Sequence, residues 1–413
     1  MAWFVYYCLM YLFVAGIHVW SFWNKKAEQW VSGRKNWVTQ LQQLPAKKNQ
    51  RIWFHVSSLG EFEQARPVIE KLKEKNNELD IILTFFSPSG YTIRSAYSQA
   101  NVYYLPADIP GNAAMWVDIV KPDFTVFVKY DLWPGYLRAL VKRKIPAVLI
   151  SAHWKRSHKF SSWNLPPTKA LLYSFKQIFL QQGDDLDYFR SKGFLNLSIA
   201  GDTRIDRSLQ LPKEAASKIP DALKNLPPFD LVAGSTWPAD EKRISEAIQQ
   251  LNLKLLIAPH DTSEESIERV VNAFPFPVTK LSSYKQGDPL PKVMIVDSIG
   301  LLAYVYSLGK IAYVGGGFGA GIHNTLEPMA HGKPLIFGPA FGKFPEAVTM
   351  VEEKAAISIN TTDELIKAIN LFNQSDHAKR AGTIAYRYLV DHRGASDKVV
   401  NYIANSIRNE QKV

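Results

Sequence analysis

The first 23 residues form an uncharged and mostly apolar stretch, without Asp, Glu, Lys or Arg. A helix of that length is about 35 Å long, enough to cross a hydrocarbon core of about 30 Å. Tryptophans and tyrosines stand near both ends, and Lys25 and Lys26 follow at once, which is typical of an anchor with a cytoplasmic basic flank. We predict a retained membrane-anchor helix at 1–23. A helix lying in the interface and a buried core helix are the alternatives.

Beyond this stretch, short apolar runs alternate with segments of helical periodicity. Residues 51–57 predict a buried strand, and residues 61–75 predict a helix with one apolar face. The alternation continues to about residue 151, breaks in a proline-punctuated linker at 205–228 and then restarts. Alternating strands and helices indicate parallel sheets. We therefore predict an α/β fold in which two Rossmann-like domains, 24–208 and 209–413, face a central cleft.

Composition and charge narrow the class of partner. The 413 residues, 46% hydrophobic and 21% charged, suit a globular protein with two cores. A net charge of +11 favours anionic lipid or a phosphorylated or carboxylated substrate. Nucleic acid is the weakest candidate, because the sequence has neither a Cys/His zinc pattern nor a concentrated basic tail. The single cysteine, Cys8, excludes an intramolecular disulfide.

The clearest candidate site is a glycine-rich segment after the predicted strand at 311–314. It comprises Gly315, Gly316, Gly317, Gly319 and Gly321, followed by His323, Asn324 and Glu327. Glycine permits close approach of a ligand to the backbone, and amides at a helix start bind anions. We expect Asn324 to cap the next helix and contact phosphate, and Glu327 to bind ribose hydroxyls. A turn closed by a capping box is the alternative. The spacing does not fit the dinucleotide fingerprint, so NAD is not expected.

With this segment, several short elements resemble the Kdo (3-deoxy-D-manno-octulosonic acid) transferases, a family of GT-B glycosyltransferases. The elements are His323 to Pro328, Gly332-Lys333-Pro334, Phe337-Gly338-Pro339, His55 to Glu61, Asp131 to Pro134, and Gly201 to Asp206. The resemblance spans most of the chain. It implies inverting, metal-independent transfer of Kdo from CMP-Kdo to the lipid A precursor lipid IVA, without a cofactor. It also implies the cytoplasmic face of the inner membrane, an anionic surface, as the place of this step in lipopolysaccharide synthesis.

The resemblance assigns roles to individual residues. Glu61 is the expected catalytic base and Asp131 a second catalytic carboxylate. The expected donor-binding residues are Ser235, Thr236, His260, Gly315, Gly316, Gly317, Gly319, Gly321, His323, Asn324 and Glu327. The expected acceptor- or phosphate-binding residues are Ser58, Gly60, Lys129 and Arg204. Lys129 stands where the family commonly has Glu, and pairing with a carboxylate or phosphate is one interpretation. Structural roles remain open: Glu61 as a helix-dipole partner, Lys129 in a strand-end salt bridge and Arg204 as a solvated charge.

Three other functions stay open at this point. One is a GT-B enzyme with a different donor, and the second is a sugar-nucleotide 2-epimerase of the same fold. The third is a non-catalytic, membrane-bound protein that binds a nucleotide sugar. The predicted anchor argues against the epimerase, whose substrate is soluble. Retention of Glu61 and of the whole glycine-rich segment argues against a non-catalytic protein.

Overall fold

The computed structural model describes residues 2–129, 132–153 and 171–410. The chain divides into two compact units. The first unit comprises residues 1–206 and 393–413, and the second unit comprises residues 207–392. Two of the prolines in the linker predicted at 205–228 instead stand at the beginnings of short helices. Pro212 lies in the first turn of one helix and Pro220 caps the next, positions at which the missing amide hydrogen costs no helical bond.

The first unit contains a parallel sheet with seven strands in the described residues, in the order β3-β2-β1-β4-β5-β6-β7. The strands are β1 Arg51–Val56, β2 Asp80–Phe85, β3 Asn101–Tyr104, β4 Phe124–Val128, β5 Ala147–Ala152, β6 Gln177–Leu180 and β7 Leu197–Ile199. The helices up to residue 208 are α1 Ala2–Trp20, α2 Lys25–Arg34, α3 Trp37–Gln42, α4 Leu59–Lys75, α5 Pro88–Arg94, α6 Asn112–Val120, α7 Pro134–Lys142, α8 Asp184–Ser191 and α9 Thr203–Ser208. The strands β1, β4 and β5 are buried throughout, as expected for a parallel sheet covered on both faces.

The first helix packs one side against the first unit and exposes the other. Tyr6 and Met10 are buried, and the ring of Phe13 lies 5.9 Å from Trp30 and 6.1 Å from Phe86. The exposed apolar side chains of α1 are Phe4, Val5, Leu9, Tyr11, Leu12, Phe13, Val19 and Trp20. By length and composition alone α1 can cross a membrane. Its exposure contradicts the buried core helix that the sequence left as an alternative.

The second unit repeats the architecture with a parallel sheet whose strands are in the order β10-β11-β9-β8-β12-β13-β14. Its strands are β8 Phe229–Thr236, β9 Leu255–Pro259, β10 Val278–Lys280, β11 Val293–Ile295, β12 Gly309–Val314, β13 Leu335–Phe337 and β14 Ala356–Ser358. Its helices are α10 Leu211–Lys218, α11 Asp221–Lys224, α12 Pro238–Leu251, α13 Glu264–Ala273, α14 Leu302–Val305, α15 Leu326–Ala330, α16 Pro345–Glu352, α17 Thr362–Phe372 and α18 Ser375–Asp391, with 3₁₀ turns at Leu281–Ser283 and Tyr306–Leu308. The two sheets agree with the predicted pair of α/β domains.

The last helix, α19 (Ala395–Glu410), belongs to the first unit, whereas the expected division put residues 393–413 in the second domain. Val400 and Ile403 are buried in the same core cluster as Phe62 of α4. The Asp206 carboxylate accepts the amides of Gly394 and Ser396, both at 2.6 Å, at the start of α19. The apolar stripe of α19 is visible in the sequence, but its partners are distant along the chain. Asp206 is 188 and 190 residues from the amides that it accepts, Phe62 is farther still, and no local pattern indicates these contacts.

Candidate functional site

In the second unit, the glycine-rich segment follows β12 and packs on the turn between β8 and α12. A Cβ atom at Gly315 would lie 2.3 Å from the carbonyl oxygen of Ser235, and one at Gly317 would lie 2.6 Å from the backbone of Gly338. Gly316 has a φ of +90°, a conformation that side chains with a Cβ disfavour. Close packing between backbone segments thus requires these glycines, which brings the expected donor residues Gly315 to Gly317 and Ser235 together.

Asp240, which the sequence analysis did not single out, holds this arrangement. Its carboxylate is fully buried. One oxygen accepts the amides of Trp237 and Gly316, both at 3.0 Å, and the other accepts the Tyr313 hydroxyl at 2.7 Å. Asp240 therefore joins the start of α12 to β12 and to the glycine-rich segment. An Asp in the first turn of a helix is a common capping residue, and only the fold reveals the other two partners.

Three rings stack beside the glycine-rich segment. The ring centroids of Trp237 and His260 are 4.7 Å apart, and those of His260 and His323 are 4.4 Å apart. The indole N–H of Trp237 donates to Nε2 of His323 at 2.9 Å. Burial, with a smaller contribution from His260, lowers the pKa of His323 to about 4, so His323 is neutral at pH 7. The structure thus brings the expected donor residues His260 and His323 together and adds Trp237, a half-exposed indole that can stack on a planar ligand.

Other expected donor residues are engaged within the second unit. Ser235 has a φ of +53°, which is uncommon for a residue with a Cβ. The buried Thr236 hydroxyl donates to Glu241 at 3.3 Å. Asn324 accepts the amide of Leu326 at 3.1 Å and donates to the Glu327 carboxylate at 3.0 Å. Asn324 therefore contacts the first turn of the short helix α15, whose N-cap residue is Thr325 rather than the expected Asn324. Within the segment, Gly319 is uncrowded, because a Cβ there would approach no atom closer than 3.6 Å.

In the first unit, Glu61 lies in the first turn of α4, just beyond the end of β1. One carboxylate oxygen accepts the Ser57 amide at 2.5 Å, and the Glu61 amide donates to the Ser58 hydroxyl at 3.4 Å. This is close to a capping box, and Glu61 is 7% exposed. A Cβ at the exposed Gly60 would meet nothing closer than Ser58 Oγ at 4.0 Å. The fold itself therefore does not require glycine at position 60.

Lys129 and Arg204 belong to one charged cluster of the first unit. Lys129 follows β4 with a φ of +59°, and Arg204 contacts the Asp202 carboxylate through Nε and a terminal nitrogen at 2.5–3.1 Å. Burial on its own raises the pKa of Asp202, but Arg204 first and Lys129 to a smaller degree hold it below its ordinary value. Arg204 is thus paired within the protein rather than solvated. Asp131, the second expected catalytic carboxylate, lies outside the described residues.

Contacts between aromatic rings connect Trp133, in the segment just before α7, with β1. Trp133 donates its indole N–H to Nε2 of the buried His55 at 3.1 Å, and Phe86 lies 4.4 Å from the Trp133 ring. Because Nε2 of His55 accepts this hydrogen bond, Nδ1 carries the ring proton of the neutral imidazole and donates it to the Thr84 hydroxyl at 2.9 Å. His55 stands inside the element that the sequence singled out, yet its contact with Trp133 joins residues 78 positions apart.

A buried carboxylate connects α1 to α7. Asp108 accepts the Tyr6 hydroxyl at 2.6 Å and the Gly135 amide at 2.7 Å. Burial raises the pKa of Asp108 to about 6, although both hydrogen bonds oppose this shift. A Cβ at Gly135 would lie 2.0 Å from Asp108 Oδ1. The N-terminal helix is therefore fixed to the segment that follows Trp133 through one side chain, which the sequence pattern did not indicate.

Known proteins resemble this chain in sequence and in fold. Residues 34–207 match the family model described as 3-deoxy-D-manno-octulosonic-acid transferase (kdotransferase). The 3-deoxy-D-manno-octulosonic acid transferase of Haemophilus influenzae is 29% identical over 381 residues, 86% of each chain. The same enzyme of Aquifex aeolicus is 27% identical over 329 residues, 76% of this chain and 84% of that one.

Among solved structures, the UDP-GlcNAc 2-epimerase of Neisseria meningitidis bound to UDP-GlcNAc has a TM-score of 0.62 at 16% identity, over 86% of this chain and 100% of that one. At such identity the similarity shows the fold alone, an α/β fold of the GT-B type with two parallel sheets. The family match and the relatives go further than the fold. Residues 34–207 match the 3-deoxy-D-manno-octulosonic acid transferase family, and the relatives that are similar over most of the chain are glycosyltransferases of that name.

Proposed function

We propose that the protein transfers Kdo from CMP-Kdo to the lipid A precursor lipid IVA at the cytoplasmic face of the inner membrane. The observation that carries the proposal is the position of α1. This helix exposes an apolar side and is fixed through Asp108 to the unit that holds Glu61. An exposed apolar helix face favours a membrane surface, and the positive net charge favours an anionic one. A lipid acceptor fits such a surface, whereas a soluble substrate has no need of it.

The second unit, residues 207–392, is the proposed donor domain, which the sequence analysis expected at 209–413. The amides of Gly315, Gly316 and Gly319 are bonded within the unit and shape the segment, whereas the amides of Gly317 and Gly321 and the turn at Ser235 and Thr236 are the proposed donors for the phosphate of CMP. The stack of Trp237, His260 and His323 offers flat surfaces for a nucleobase or ribose. Asn324 and Glu327 supply polar groups for the sugar or ribose hydroxyls. The neutral His323 accepts a hydrogen bond from Trp237 and takes no part in proton transfer on this proposal.

The first unit is the proposed acceptor domain, and Glu61 is its proposed general base. The Ser57 amide fixes one oxygen of the carboxylate, which orients Glu61 for accepting the proton of an acceptor hydroxyl. The hydroxyl oxygen then bonds to the anomeric carbon of Kdo as the bond to the CMP phosphate breaks. One such displacement inverts the configuration. Ser58, Gly60, Lys129 and Arg204 are proposed to hold the acceptor or its phosphates, and Asp131 is a proposed second carboxylate.

Metal independence is part of the proposal. The developing charge on the CMP phosphate is stabilised by backbone amides of the glycine-rich segment, as in other sites that use preorganised dipoles. Activity is therefore expected to be unchanged, within about twofold, after dialysis against EDTA. Loss of activity with EDTA and its recovery with Mg²⁺ would contradict this part of the proposal and leave the rest standing.

The experiment uses the purified full chain, CMP-Kdo generated in the assay and a tetra-acylated, bis-phosphorylated acceptor, with products identified by mass spectrometry. We expect product with the mass of Kdo added. Glu61→Gln should lower kcat about 10²–10⁴-fold and leave CMP binding unchanged by calorimetry. Glu63→Gln, on the same helix and paired with Arg94, is the matched control. A thermal-shift screen tests the donor separately. If UDP or ADP but not CMP raised the melting temperature of the protein, and another nucleotide sugar were turned over, the assignment of CMP-Kdo as the donor would be refuted.

A further inference from the structure

A groove beside the N-terminal helix is not used by the proposed reaction. It has a volume of about 410 Å³ and lies between α1, α2, α3 and the loop before α6. Its size is that of pockets that hold small organic ligands. Apolar side chains such as Val14, Trp30 and Val31 line it, together with three basic residues, His18, Arg34 and Lys35. No Asp or Glu stands among its lining residues in the described part of the chain.

Arg34 contributes a positive charge to the groove, and three aromatic rings, those of Trp30, Phe86 and Tyr104, lie 4.0–5.0 Å from its guanidinium. Its guanidinium donates to the carbonyl oxygens of Leu105 at 2.8 Å, Phe86 at 2.7 Å and Trp30 at 3.1 Å. These partners are neutral, and no carboxylate of the described residues forms an ion pair with Arg34. A buried cation without a counter-charge is costly, and an anion in the groove would compensate it. Lys35 is exposed at the same groove and extends the positive region to solvent.

The groove borders a face of α1 that also carries an exposed aromatic ring. Val14 and His18 line the groove, and Tyr11, three residues before Val14 and seven before His18, lies on the same face of the helix and is exposed. A hydrocarbon chain in contact with this face of α1 can therefore reach the apolar lining of the groove. An apolar cavity with basic groups complements an acyl chain that carries an anionic head.

Ring contacts join the groove to the candidate acceptor site within the first unit. Trp30, which lines the groove, lies 5.7 Å from Phe86. Phe86 lies 4.4 Å from Trp133, and Trp133 donates to His55, two residues before Ser57. Contacting side chains thus connect the groove with the strand that leads to the turn fixing Glu61. Such a path within one unit suits a large acceptor that has one part in the groove and its reactive hydroxyl at Glu61.

We propose that the groove binds an acyl chain of the acceptor lipid and that Arg34 and Lys35 attract a phosphate of the same molecule. The inference rests on the proposed function and adds to it a determinant of acceptor specificity. On this proposal, the acylated acceptor binds through the groove, and an acceptor stripped of its acyl chains loses that contribution. The groove residues act on acceptor binding rather than on the chemical step, because none of them is near the reacting atoms.

The test compares the acylated, phosphorylated acceptor with its deacylated form in detergent micelles. Val31→Phe fills the groove, and Ser32→Phe adds the same ring at an exposed position of α2 outside it. We expect Val31→Phe to raise KM for the acylated acceptor at least tenfold, with kcat and the KM of the deacylated acceptor within twofold. Lys35→Glu should raise KM for both acceptors, whereas Lys26→Glu, also exposed near α1, should not. Val14→Phe repeats the test from α1 if Val31→Phe fails to fold.

Equal KM values for Val31→Phe and Ser32→Phe would overturn the inference. It would also be overturned if Val31→Phe reduced binding to phosphatidylglycerol vesicles and left the acceptor KM unchanged, since the groove would then hold a bilayer lipid. Absence of turnover by the unmodified protein with either acceptor would refute the proposed function instead. A photo-cross-linker in one acyl chain then tests the groove directly. Labelling of residues 14–18 or 30–37 supports the inference, and labelling confined to residues 4–12 refutes it.

Discussion

Replacing Asp240 should destabilise the second unit and weaken CMP binding at the proposed donor site. Asp240→Ala removes the acceptor of three hydrogen bonds, from Trp237, Gly316 and Tyr313. The Tyr313 hydroxyl and the Gly316 amide are left without a partner in a buried place, and the Trp237 amide in a partly buried one. At about 1–3 kcal/mol for each of the two buried groups, the loss of stability is on the order of 2–6 kcal/mol. The glycine-rich segment also loses the contact that fixes Gly316, so CMP affinity should fall at least about tenfold, or ~1.4 kcal/mol.

The matched variants are Asp240→Asn and Tyr313→Phe. Asparagine keeps one acceptor oxygen for the two backbone amides, so its cost should be about 1–2 kcal/mol, and Tyr313→Phe removes one donor together with its bond, at about 1 kcal/mol. The assays are thermal unfolding and calorimetric titration with CMP. An Asp240→Ala protein as stable as Asp240→Asn, with unchanged CMP affinity, would refute the argument that this carboxylate organises the glycine-rich segment.

Three further predictions concern other parts of the fold. Burial raises the pKa of Asp108 in the folded protein to about 6. Between pH 4 and 6 the folded protein therefore keeps a proton on Asp108 that the unfolded chain has lost. The free energy of unfolding should accordingly fall by about 3 kcal/mol between pH 4 and 7. Asp108→Asn should remove that dependence in urea unfolding, and parallel pH profiles would contradict it. Gly317→Ala places a Cβ 2.6 Å from the Gly338 backbone and should lower the free energy of unfolding by about 1–3 kcal/mol and weaken CMP binding. Gly319→Ala, at an uncrowded position, should do neither. Equal melting temperatures of the two variants would argue against close packing at Gly317. Asp206→Ala removes the carboxylate that accepts the amides at the start of α19 and should lower the free energy of unfolding by about 1 kcal/mol. Proteolysis of the C-terminal helix should then be faster, and an unchanged cleavage rate would contradict this role of Asp206.

Much of the fold follows from patterns of short range. The apolar run at residues 51–57 predicted β1 (Arg51–Val56), and the helical periodicity after it predicted α4 (Leu59–Lys75) within two residues. The N-terminal helix and the two parallel sheets were predicted for the same reason, since each element shows its own period. The glycine-rich segment was recognisable because its residue type is unusual, not because its contacts were known.

What the sequence could not reveal are contacts between distant positions. Asp240 meets Tyr313 and Gly316, 73 and 76 residues away, and Trp237 meets His323, 86 residues away. In the sequence Asp240 is an ordinary residue of a helix start, and its burial depends on how β8 and β12 pair. The same holds for Tyr6, because helical periodicity predicts α1 but cannot indicate which side of it contacts Asp108.

The path of the backbone has a practical consequence. The second unit is one uninterrupted segment, whereas the first unit needs pieces from both termini. A truncation at residue 392 would remove α19 and therefore expose Phe62 and its neighbours in the core of the first unit, although they lie near the other end of the chain. Producing the first unit alone requires a short linker from residue 206 to residue 393, whereas the second unit can be expressed as one continuous segment. Damage at the C-terminus should accordingly destabilise the first unit before the second.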